Sequence, residues 1–495
     1  MTMLSTDKRA ECTTRPYTQT GRRHKLPNDS ISPRVIHGAP WPDGAGADSA
    51  HGVTWHSALH GAPVTVGEVI DARPLSRLQI LTVVLCIAVA VLDGFDTQTI
   101  GFLAPAIARS LALPLPGFGS VFTAGLFGLM IGAITLGPLA DRFGRKRMLV
   151  LATLAFGAFA FATAFAHTLP QLLIVRFLTG LGLGGAMPNV VALASEFSPR
   201  RLARVCVTIL FCGMPAGAVV GGLVSAALLP RYGWHSVFYV GGVLPVAVAL
   251  AVAIWMPESV RYLTTLPDGR ARARKIMSRI APELAQRDIE FVSGEARHSG
   301  VPLRHLFMEG RAGRTILLWI PYFMNLLVLY FIISWLPAVM VRTGSSITLG
   351  IQAITAFSLG GVIGSLLQGR LMDRFGSIPV LSVEFAFYIG FVVVLATQLL
   401  GVAGILVATG LAGIAVQGAQ AGLNALAAEI YPTSMRGTGV GCALAVGRIG
   451  SILGPIAGSL MLAFNWDAQQ IFLAGAIPGV IAVMAILCSR RFGYR

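Results

Sequence analysis

Twelve apolar runs, each about 20 residues or longer, dominate this sequence. Because a helix needs about 20 apolar residues to cross a bilayer, each run is long enough to span one. The chain is 55% hydrophobic and only 12% charged, whereas a soluble domain carries about 25% charged residues. We therefore predict an all-α membrane protein with twelve transmembrane helices in two six-helix repeats. The predicted spans 1–12 lie at 80–106, 117–139, 147–166, 171–195, 203–228, 236–257, 314–340, 349–371, 379–400, 402–426, 437–463 and 468–488.

The positive charge of the chain is distributed unevenly over the predicted loops. The formal net charge is +16, and 33 of the 38 Lys and Arg residues fall on one side of the predicted topology. Cytoplasmic loops of membrane proteins carry such an excess, so both termini are expected to be cytoplasmic. A net charge of this size also occurs in nucleic-acid-binding proteins. The alternation from loop to loop favours a topology signal, and no nucleic-acid partner is expected.

The sequence divides into five expected segments. Residues 1–65 are rich in Pro, Gly, His, Thr and Arg and lack apolar periodicity, which predicts a disordered cytoplasmic tail. A translation start placed too far upstream is the alternative for this stretch. The other segments are a six-helix bundle at 66–257, a basic cytoplasmic loop at 258–313, a second six-helix bundle at 314–488 and a cytoplasmic tail at 489–495.

An internal repeat relates the two bundles. The sequence GPLADRFG at 137–144 returns as GRLMDRFG at 369–376, which is 232 residues later. The ends of spans 4 and 10 also match, since Glu196 begins EFSP and Glu429 begins EIYP. An arginine follows each, Arg204 and Arg436. Duplicated bundles in parallel orientation are typical of transporters that bind their substrate near the midplane, between the halves.

Two acidic residues, Asp93 and Asp96, interrupt the otherwise apolar span 1. An Asp at mid-bilayer costs roughly 2.5–3.5 kcal/mol on insertion scales, so such residues indicate function. Burial and a neighbouring carboxylate both favour the neutral form of a carboxyl group. One member of the pair could then take up and release a proton. The alternative is a structural pair satisfied by Thr97, Gln98 or a basic partner.

Further polar residues within spans are candidates for substrate binding. Arg448 lies near the middle of span 11, and its planar guanidinium matches a carboxylate. It is therefore the candidate anchor for a substrate carboxylate, with a permanent ion pair to Asp93 or Asp96 as the alternative. Polar side chains of spans 7 and 10 could stack on or hydrogen-bond an aromatic ring, or could bond only between helices. They are Tyr322, Asn325, Tyr330, Gln417, Gln420 and Asn424.

Two other residues in the spans suggest positions near the membrane surface. Trp335 is expected at an interfacial belt as readily as at a cavity, and Glu384, near the cytoplasmic end of span 9, is interpreted as interfacial. No esterase elbow, zinc-protease motif, phosphate-binding loop or nucleotide fingerprint occurs in the sequence. The six cysteines show no metal-ligand spacing. The chain is therefore not expected to be an enzyme or to bind a cofactor or metal, and an ion gradient must supply the energy.

The loop GPLADRFGRKR at 137–147 resembles the signature loop of the major facilitator superfamily. Its glycines allow a tight turn, and Asp141 lies one helical turn from Arg145, where an ion pair can form. Arg176, followed by glycines at 180 and 184, resembles the helix-4 pattern of the same superfamily. For Arg176, packing or snorkelling at the external end is the alternative. The resemblance implies that the polar cluster of this loop holds the cytoplasmic side closed and releases it as the two halves move. It also implies a gating or conformational role for a wider set of residues, which are Gly137, Asp141, Arg142, Gly144, Arg145, Arg176, Glu196, Asp373, Arg374, Glu429 and Arg436.

Four segments narrow the resemblance to one branch. They are DGFD at 93–96, GWHS at 233–236 leading into GGVLP, SWLP at 334–337, and GVGCALAVGRIG at 439–450. Together they look like the aromatic acid:proton symporters, which import benzoate, hydroxybenzoates, protocatechuate, gentisate, hydroxyphenylpropionates or muconate. The resemblance covers about residues 66–488.

This resemblance implies a monomeric transporter that imports a small aromatic carboxylate with protons across the bacterial inner membrane. It also implies that Asp93 and Asp96 are the family's paired acids of helix 1. The alternatives are a symporter of a non-aromatic organic or sugar acid, and a sensor of aromatic acids with or without transport.

Overall fold

The computed structural model describes residues 64–282, 291–292, 303–308, 311–397, 399–431 and 435–490. The predicted N-terminal tail, residues 1–65, lies outside these residues except for 64 and 65. In the described part of the chain, eleven continuous helices are long and apolar enough to cross a membrane. Ten of them are α1 (Arg77–Ser110), α2 (Phe118–Phe143), α3 (Arg145–Thr163), α4 (Leu169–Phe197), α7 (Ala312–Arg342), α8 (Ile347–Phe375), α9 (Ser377–Ala396), α10 (Val402–Ile430), α11 (Arg436–Ala463) and α12 (Ala468–Ser489).

The eleventh helix, Arg200–Trp255, contains two predicted spans. As one straight helix its 56 residues would extend about 84 Å, nearly three times the ~30 Å hydrocarbon core. Gly233 interrupts it with φ 74° and ψ 176°, a backbone conformation that glycine adopts without steric cost. Gly221 and Gly241, on either side of this break, both pack against the Phe95 ring. The chain therefore turns back at Gly233, and α5 (200–232) and α6 (234–255) complete the twelve predicted helices.

Short elements connect or flank the long helices. The α-helices Val66–Asp71, Val260–Thr264 and Gly269–Ile280 and the 3₁₀ helices Leu115–Gly117 and Leu303–Leu306 belong to this group. The strands β1 (Val64–Thr65) and β2 (Phe291–Val292) pair in parallel.

Side-chain caps and glycine turns define where several long helices begin. Ser76 and Gln79 form a capping box at α1, and Thr168 and Gln171 form another at α4; these boxes satisfy backbone N–H groups that have no partner within the helix. The turns α2–α3 and α8–α9 each place a glycine at positive φ. Gly144 has φ 103° and Gly376 has φ 85°, so the repeated sequence produces the same predicted tight turn in both halves.

The repeat extends to helix packing. A Cβ atom on Gly128 or Gly132 of α2 would overlap the backbone of α4. The corresponding glycines of α8, at 360 and 364, meet the backbone of α10 in the same way. Small residues let membrane helices approach closely enough for extensive van der Waals contact. The two halves are thus built on the same pair of close crossings, α2 with α4 and α8 with α10.

The halves contact each other at the ends of the helices opposite the two glycine turns. The Ser459 hydroxyl at the end of α11 donates a 2.6 Å hydrogen bond to the carbonyl of Pro116, before α2. The rings of Phe122 in α2 and Trp335 in α7 meet edge to face with centroids 5.2 Å apart. With the glycine turns on the cytoplasmic side, as the charge distribution predicts, these contacts close the halves on the external side.

Replacing a crossing glycine by alanine should destabilise the fold. In Gly180→Ala the new methyl group would overlap the backbone of Gly125, and overpacking of this kind costs about 1–3 kcal/mol. The matched control is Gly390→Ala, because a Cβ there meets nothing within 4 Å and alanine is the better helix former. Thermal denaturation in detergent should give a lower midpoint for Gly180→Ala and an equal or higher midpoint for Gly390→Ala. Equal midpoints for Gly180→Ala and wild type would contradict the packing described.

Candidate functional site

The ion pair between Asp96 and Arg176 is buried between α1 and α4. Arg176 Nη1 lies 3.0 Å from Asp96 Oδ1, and Nη2 lies 2.9 Å from Oδ2. The same Nη2 also donates to the main-chain carbonyl of Asp96. The exposed fractions are 1% for Asp96 and 3% for Arg176. This bidentate geometry is the strongest arrangement available to an arginine and a carboxylate.

The ion pair excludes two alternatives that the sequence left open, one for the position of Arg176 and one for the partner of Arg448. Snorkelling of Arg176 to the external surface is wrong, because its guanidinium is buried against Asp96. A permanent pair between Arg448 and Asp96 is also wrong, because Arg176 occupies both carboxylate oxygens. A buried charge left without its partner is strongly unfavourable, so two charges from different helices meet here. The sequence shows both residues but not that they face each other.

Asp93 lies one turn before Asp96 but has a different environment. It is 5% exposed, and its Oδ1 accepts a 3.1 Å hydrogen bond from the Thr97 hydroxyl. In the described part of the chain no cation lies within ion-pair distance of Asp93. Arg448, from the other half, acts on it electrostatically from farther away. The two acids of α1 are therefore not equivalent, since Asp96 is fixed in a pair and Asp93 is not.

Arg448 lies on α11, half-buried. Its Nη1 donates a 3.2 Å hydrogen bond to the Tyr330 hydroxyl on α7. A guanidinium has five N–H donors, so one bond to Tyr330 leaves donors with which Arg448 can bind an anion.

A narrow cavity between the halves lies beside these groups. Its walls come from α1, α2 and α4 of the first half and from α7 of the second. The inter-half cavity is lined by polar, aromatic and small residues, among them Thr97, Gly101, Phe122, Arg176, Tyr330 and Ser334. Both the Asp96–Arg176 pair and the Arg448–Tyr330 pair thus contribute a residue to it. A mostly apolar cavity with a few directed polar groups is typical of a small-molecule site.

Polar side chains of α7 and α10 bond to one another. The Tyr322 hydroxyl donates to Asn424 Oδ1 at 2.7 Å, and Asn325 Nδ2 donates to Gln420 Oε1 at 2.9 Å. These are the inter-helix hydrogen bonds of the alternative interpretation. Asn325 Oδ1, however, is buried without a hydrogen-bond partner in the described residues, so this cluster still has an acceptor for a ligand hydroxyl.

Gln417 does not join the Tyr322–Asn424 cluster. Its amide Nε2 lies 3.5 Å from the carbonyl of Phe357 and packs against Gly361, both on α8. Gln417 therefore bonds to α8, whereas Gln420 and Asn424 bond to α7. Three residues along a helix is a rotation of about 300°, so Gln417 and Gln420 point about 60° apart and reach different neighbouring helices.

The belt alternative for Trp335 and the interfacial interpretation of Glu384 are also wrong. Trp335 is fully buried, and its indole Nε1 donates a 2.9 Å hydrogen bond to the carbonyl of Pro455. Glu384 is 9% exposed and lies among the helices of the second half. The reason is the same for both, since neighbouring helices cover these side chains at a depth where the sequence alone suggested access to the surface.

The signature turn of the first half is held by acidic side chains. The predicted pair of Arg145 with Asp141 is present at 3.7 Å, and Arg145 also lies 3.6 Å from Glu196. Glu258, after α6, accepts a hydrogen bond from the backbone N–H of Lys146, at the N-terminus of α3. Glu258 could not be identified from the sequence, because it follows α6 in an ordinary polar segment.

Glu196 is the centre of this cluster. It is 4% exposed and accepts hydrogen bonds from the Ser259 hydroxyl at 2.6 Å and from the Arg261 backbone N–H at 2.7 Å. Through Glu196 the end of α4 is bound both to Arg145 and to the segment after α6. A charge-assisted cluster of this kind can exchange partners as helices move.

The second signature turn lacks this ion pair. Ser377 occupies the position that Arg145 has in the first half, and its hydroxyl donates to Glu429 Oε2 at 3.2 Å. Arg142 and Arg374 both stack over the phenylalanine that follows them, at 5.6 and 5.3 Å from the ring centroid. Gly137 lies in α2 and Asp373 in α8; the Arg204 and Arg436 side chains lie outside the described residues. The halves thus share the turn but differ in charge.

Comparison with known proteins identifies the family. The sequence profile of the Major Facilitator Superfamily matches residues 86–398 and 318–492. The chain belongs to the Major Facilitator Superfamily. The chain is 40% identical to the 4-hydroxybenzoate transporter PcaK of Pseudomonas putida over 86% of its own length and 96% of the relative's. It is 36% identical to a gallate transporter of the same species, over 86% and 95%. It is also 36% identical to the 3-(3-hydroxy-phenyl)propionate transporter of Escherichia coli, over 84% and 95%.

Solved structures agree on the fold of this superfamily member. The xylose transporter XylE of Escherichia coli, in a partially occluded inward-open conformation, superposes with a TM-score of 0.65 at 17% identity. The match covers 84% of this chain and 98% of that structure. The predicted fold class and the resemblance to the aromatic-acid branch are thereby confirmed, as is the prediction that the chain is a transporter and not an enzyme.

Breaking the Asp96–Arg176 pair should destabilise the protein. Removing one partner of a buried ion pair costs about 3–5 kcal/mol because the other charge is left unpaired. We expect Asp96→Asn and Arg176→Gln each to lower the denaturation midpoint strongly, and the double variant to lower it by less than the sum. A double-mutant cycle in detergent measures this coupling. Additive effects would show that the two side chains do not interact.

Proposed function

We propose that this superfamily member imports small aromatic carboxylates together with protons by alternating access. The observation that carries the proposal is that two unlike groups, one on each half, are hydrogen-bonded to residues that line the inter-half cavity: Asp93 to Thr97 and Arg448 to Tyr330. Asp93, a buried acid without an ion-pair partner in the described residues, lies on α1. Arg448, whose guanidinium retains donors, lies on α11 of the other half. One group can bind a proton and the other can bind a carboxylate.

Arg448 and the aromatic lining of the inter-half cavity support the substrate class. A guanidinium binds a carboxylate through two parallel hydrogen bonds, and Tyr330 and Phe122 supply aromatic surface on which a ring can stack. The relatives are named as transporters of 4-hydroxybenzoate, gallate and 3-(3-hydroxy-phenyl)propionate. These three compounds share a benzene ring, a carboxylate and at least one phenolic hydroxyl, which supports a hydroxylated aromatic acid as substrate.

Asp93 is the proposed proton site. Because Arg176 neutralises Asp96, protonation of Asp96 would leave a buried cation unpaired. Protonation of Asp93 instead removes a charge that has no ion-pair partner in the described residues. A membrane potential opposes entry of an anion by about 2.3 kcal/mol per charge per 100 mV. One proton on Asp93 cancels this electrical cost, and any further proton adds driving force.

In the proposed cycle the external contacts open while the signature cluster changes partners. The Ser459–Pro116 and Phe122–Trp335 contacts separate when the site opens outward, and the cluster around Glu196 exchanges partners as the helices move. The Arg145 side chain already lies between Asp141 and Glu196, so it can favour either partner. We place the protein in the bacterial inner membrane as a monomer with both termini in the cytoplasm, which fits the basic loops on that side.

Uptake of labelled acids tests the proposal. Cells that produce the wild type should accumulate 4-hydroxybenzoate, gallate or a hydroxyphenylpropionate, and a protonophore should abolish accumulation. Asp93→Asn should lose accumulation because an amide cannot carry the proton. The matched control is Asp467→Asn, in which the new amide can still cap α12 and uptake should be unchanged. Failure of correctly inserted wild type to take up any of these acids would contradict the aromatic assignment.

Replacing Arg448, the proposed carboxylate anchor, should weaken substrate binding more than replacing its neighbour Tyr330. Hydrogen bonds to charged groups contribute about 1.5–3 kcal/mol, so Arg448→Gln should weaken substrate affinity by roughly 10- to 150-fold. Tyr330→Phe removes one neutral hydroxyl and should weaken it by less than about tenfold. Binding of labelled 4-hydroxybenzoate to purified protein measures both. An unchanged affinity in Arg448→Gln would exclude Arg448 as the anchor.

A further inference from the structure

A buried carboxyl group lies in the second half, outside the inter-half cavity. Glu384 is the eighth residue of α9, about 10 Å along the helix from its first residue, and only 9% of it is exposed. The proposed transport mechanism assigns it no role. An ionised carboxylate buried at such a depth is unfavourable unless a cation compensates it.

The surroundings of Glu384 contain an amide but no compensating cation among the described residues. Three helices pack against α9: α8, α10 and α12. In the described part of the chain no Lys, Arg or His lies within ion-pair distance of Glu384. The charged residues of α8 and α10 are exposed. From α12, Ala482 and Ile486 belong to the same cluster of buried apolar residues as Phe385, the neighbour of Glu384 in the sequence. The exposed charged residues are Arg370, Asp373, Arg374 and Glu429.

Gln368 of α8 is the polar partner of Glu384. Its amide Nε2 donates a 3.2 Å hydrogen bond to Glu384 Oε2. Gln368 is 3% exposed, and its Oε1 is buried without a hydrogen-bond partner in the described residues. A Cβ atom added to Gly418 of α10 would lie 3.0 Å from Glu384 Oε1 and 3.2 Å from Gln368 Oε1. Gln368 Oε1 and Glu384 Oε1 therefore both face Gly418.

The repeat provides an internal control for this arrangement. Residues 232 positions earlier, in the first half, are Leu136 for Gln368 and Ala152 for Glu384. Gly185 corresponds to Gly418, with the offset of 233 that relates Glu196 to Glu429. A Cβ on Gly185 would meet Leu136 and Ala152. The same helix crossing is thus packed by hydrocarbon alone in one half, so the fold does not require an acid and an amide there.

We propose that Glu384 and Gln368 form a proton-binding site in the second half of the transporter. The proton resides on Glu384 Oε1 and is donated in a hydrogen bond to Gln368 Oε1, while Gln368 Nε2 donates to Glu384 Oε2. This cyclic acid–amide pair gives the unpartnered Gln368 oxygen a donor and removes the buried charge. With the proton lost to water, a carboxylate oxygen and an amide oxygen would face each other without a donor between them.

Infrared spectroscopy of purified protein in lipid nanodiscs tests the protonation state without any transported substrate. At neutral pH the carbonyl band of a protonated carboxyl group should be present in wild type and reduced by one group in Glu384→Gln. The matched control is Glu429→Gln, which removes an exposed carboxylate and should leave this band unchanged. Loss of a carboxylate band, with the protonated band intact, in Glu384→Gln would overturn the proposal. Because no substrate is involved, this outcome is independent of the proposed aromatic-acid transport.

Two further measurements are the pH dependence of the denaturation midpoint and the infrared spectrum of a Gln368 variant. Ionisation of Glu384 at alkaline pH would leave an unpaired charge in the bundle, so the denaturation midpoint of wild type should fall faster with rising pH than that of Glu384→Gln. Glu429→Gln should follow wild type. In Gln368→Leu the Glu384 proton loses its acceptor, and its carbonyl band should shift to higher frequency. Parallel pH curves for Glu384→Gln and wild type, or an unshifted band in Gln368→Leu, would contradict the site.

Discussion

The buried ion pair between Asp96 and Arg176 gives the site its asymmetry. It joins α1 to α4 beside the inter-half cavity and holds both charges where neither would be tolerated alone. As a result, the two acids of α1, three residues apart, have different chemistry. Asp96 is a fixed structural anion, and Asp93 is left with only the hydroxyl of Thr97 as a hydrogen-bond donor in the described residues. The proposed coupling depends on this separation, because a proton needs one acid that is free to accept it.

The two halves use one packing plan with different polar chemistry. Both are built on close glycine crossings and a glycine turn at positive φ. In the first half the turn carries the Arg145–Glu196 pair, whereas in the second half Ser377 bonds to Glu429. The crossing that contains Ala152 in the first half contains Glu384 in the second. The two halves thus share a backbone arrangement but differ in where they carry charge or a buried acid.

Much of the fold could be predicted from the sequence because its determinants are local. Runs of about 20 apolar residues specify helices in a bilayer, since each helix satisfies its own backbone hydrogen bonds. The repeated DRFG turns and the pair of Asp141 with Arg145, one helical turn apart, could also be predicted. Asp93, Asp96 and Arg448 could be predicted to be functional because a charged side chain inside an apolar span is energetically unfavourable.

What the sequence could not predict are contacts between distant helices. Arg176 and Asp96 are 80 residues apart, and nothing in either span specifies that they meet. Burial of Trp335 and Glu384 depends on which neighbouring helices cover them, and the contact of Gln417 with α8 depends on which helix lies beside that part of α10. Glu258 caps α3 from a segment after α6 that has no distinctive pattern. Each of these depends on the packing of helices, which periodicity within one helix does not reveal.

The proposed role of Asp93 is to carry a proton inward with an aromatic carboxylate. The most direct measurement is the internal pH of proteoliposomes after 4-hydroxybenzoate is added outside, with wild type and Asp93→Asn at equal protein content. Exchange of labelled for unlabelled substrate shows whether the variant still binds substrate and still alternates between its outward-facing and inward-facing states. The prediction is substrate-dependent internal acidification in wild type, and exchange without acidification in Asp93→Asn. Acidification at the wild-type rate in Asp93→Asn would contradict it.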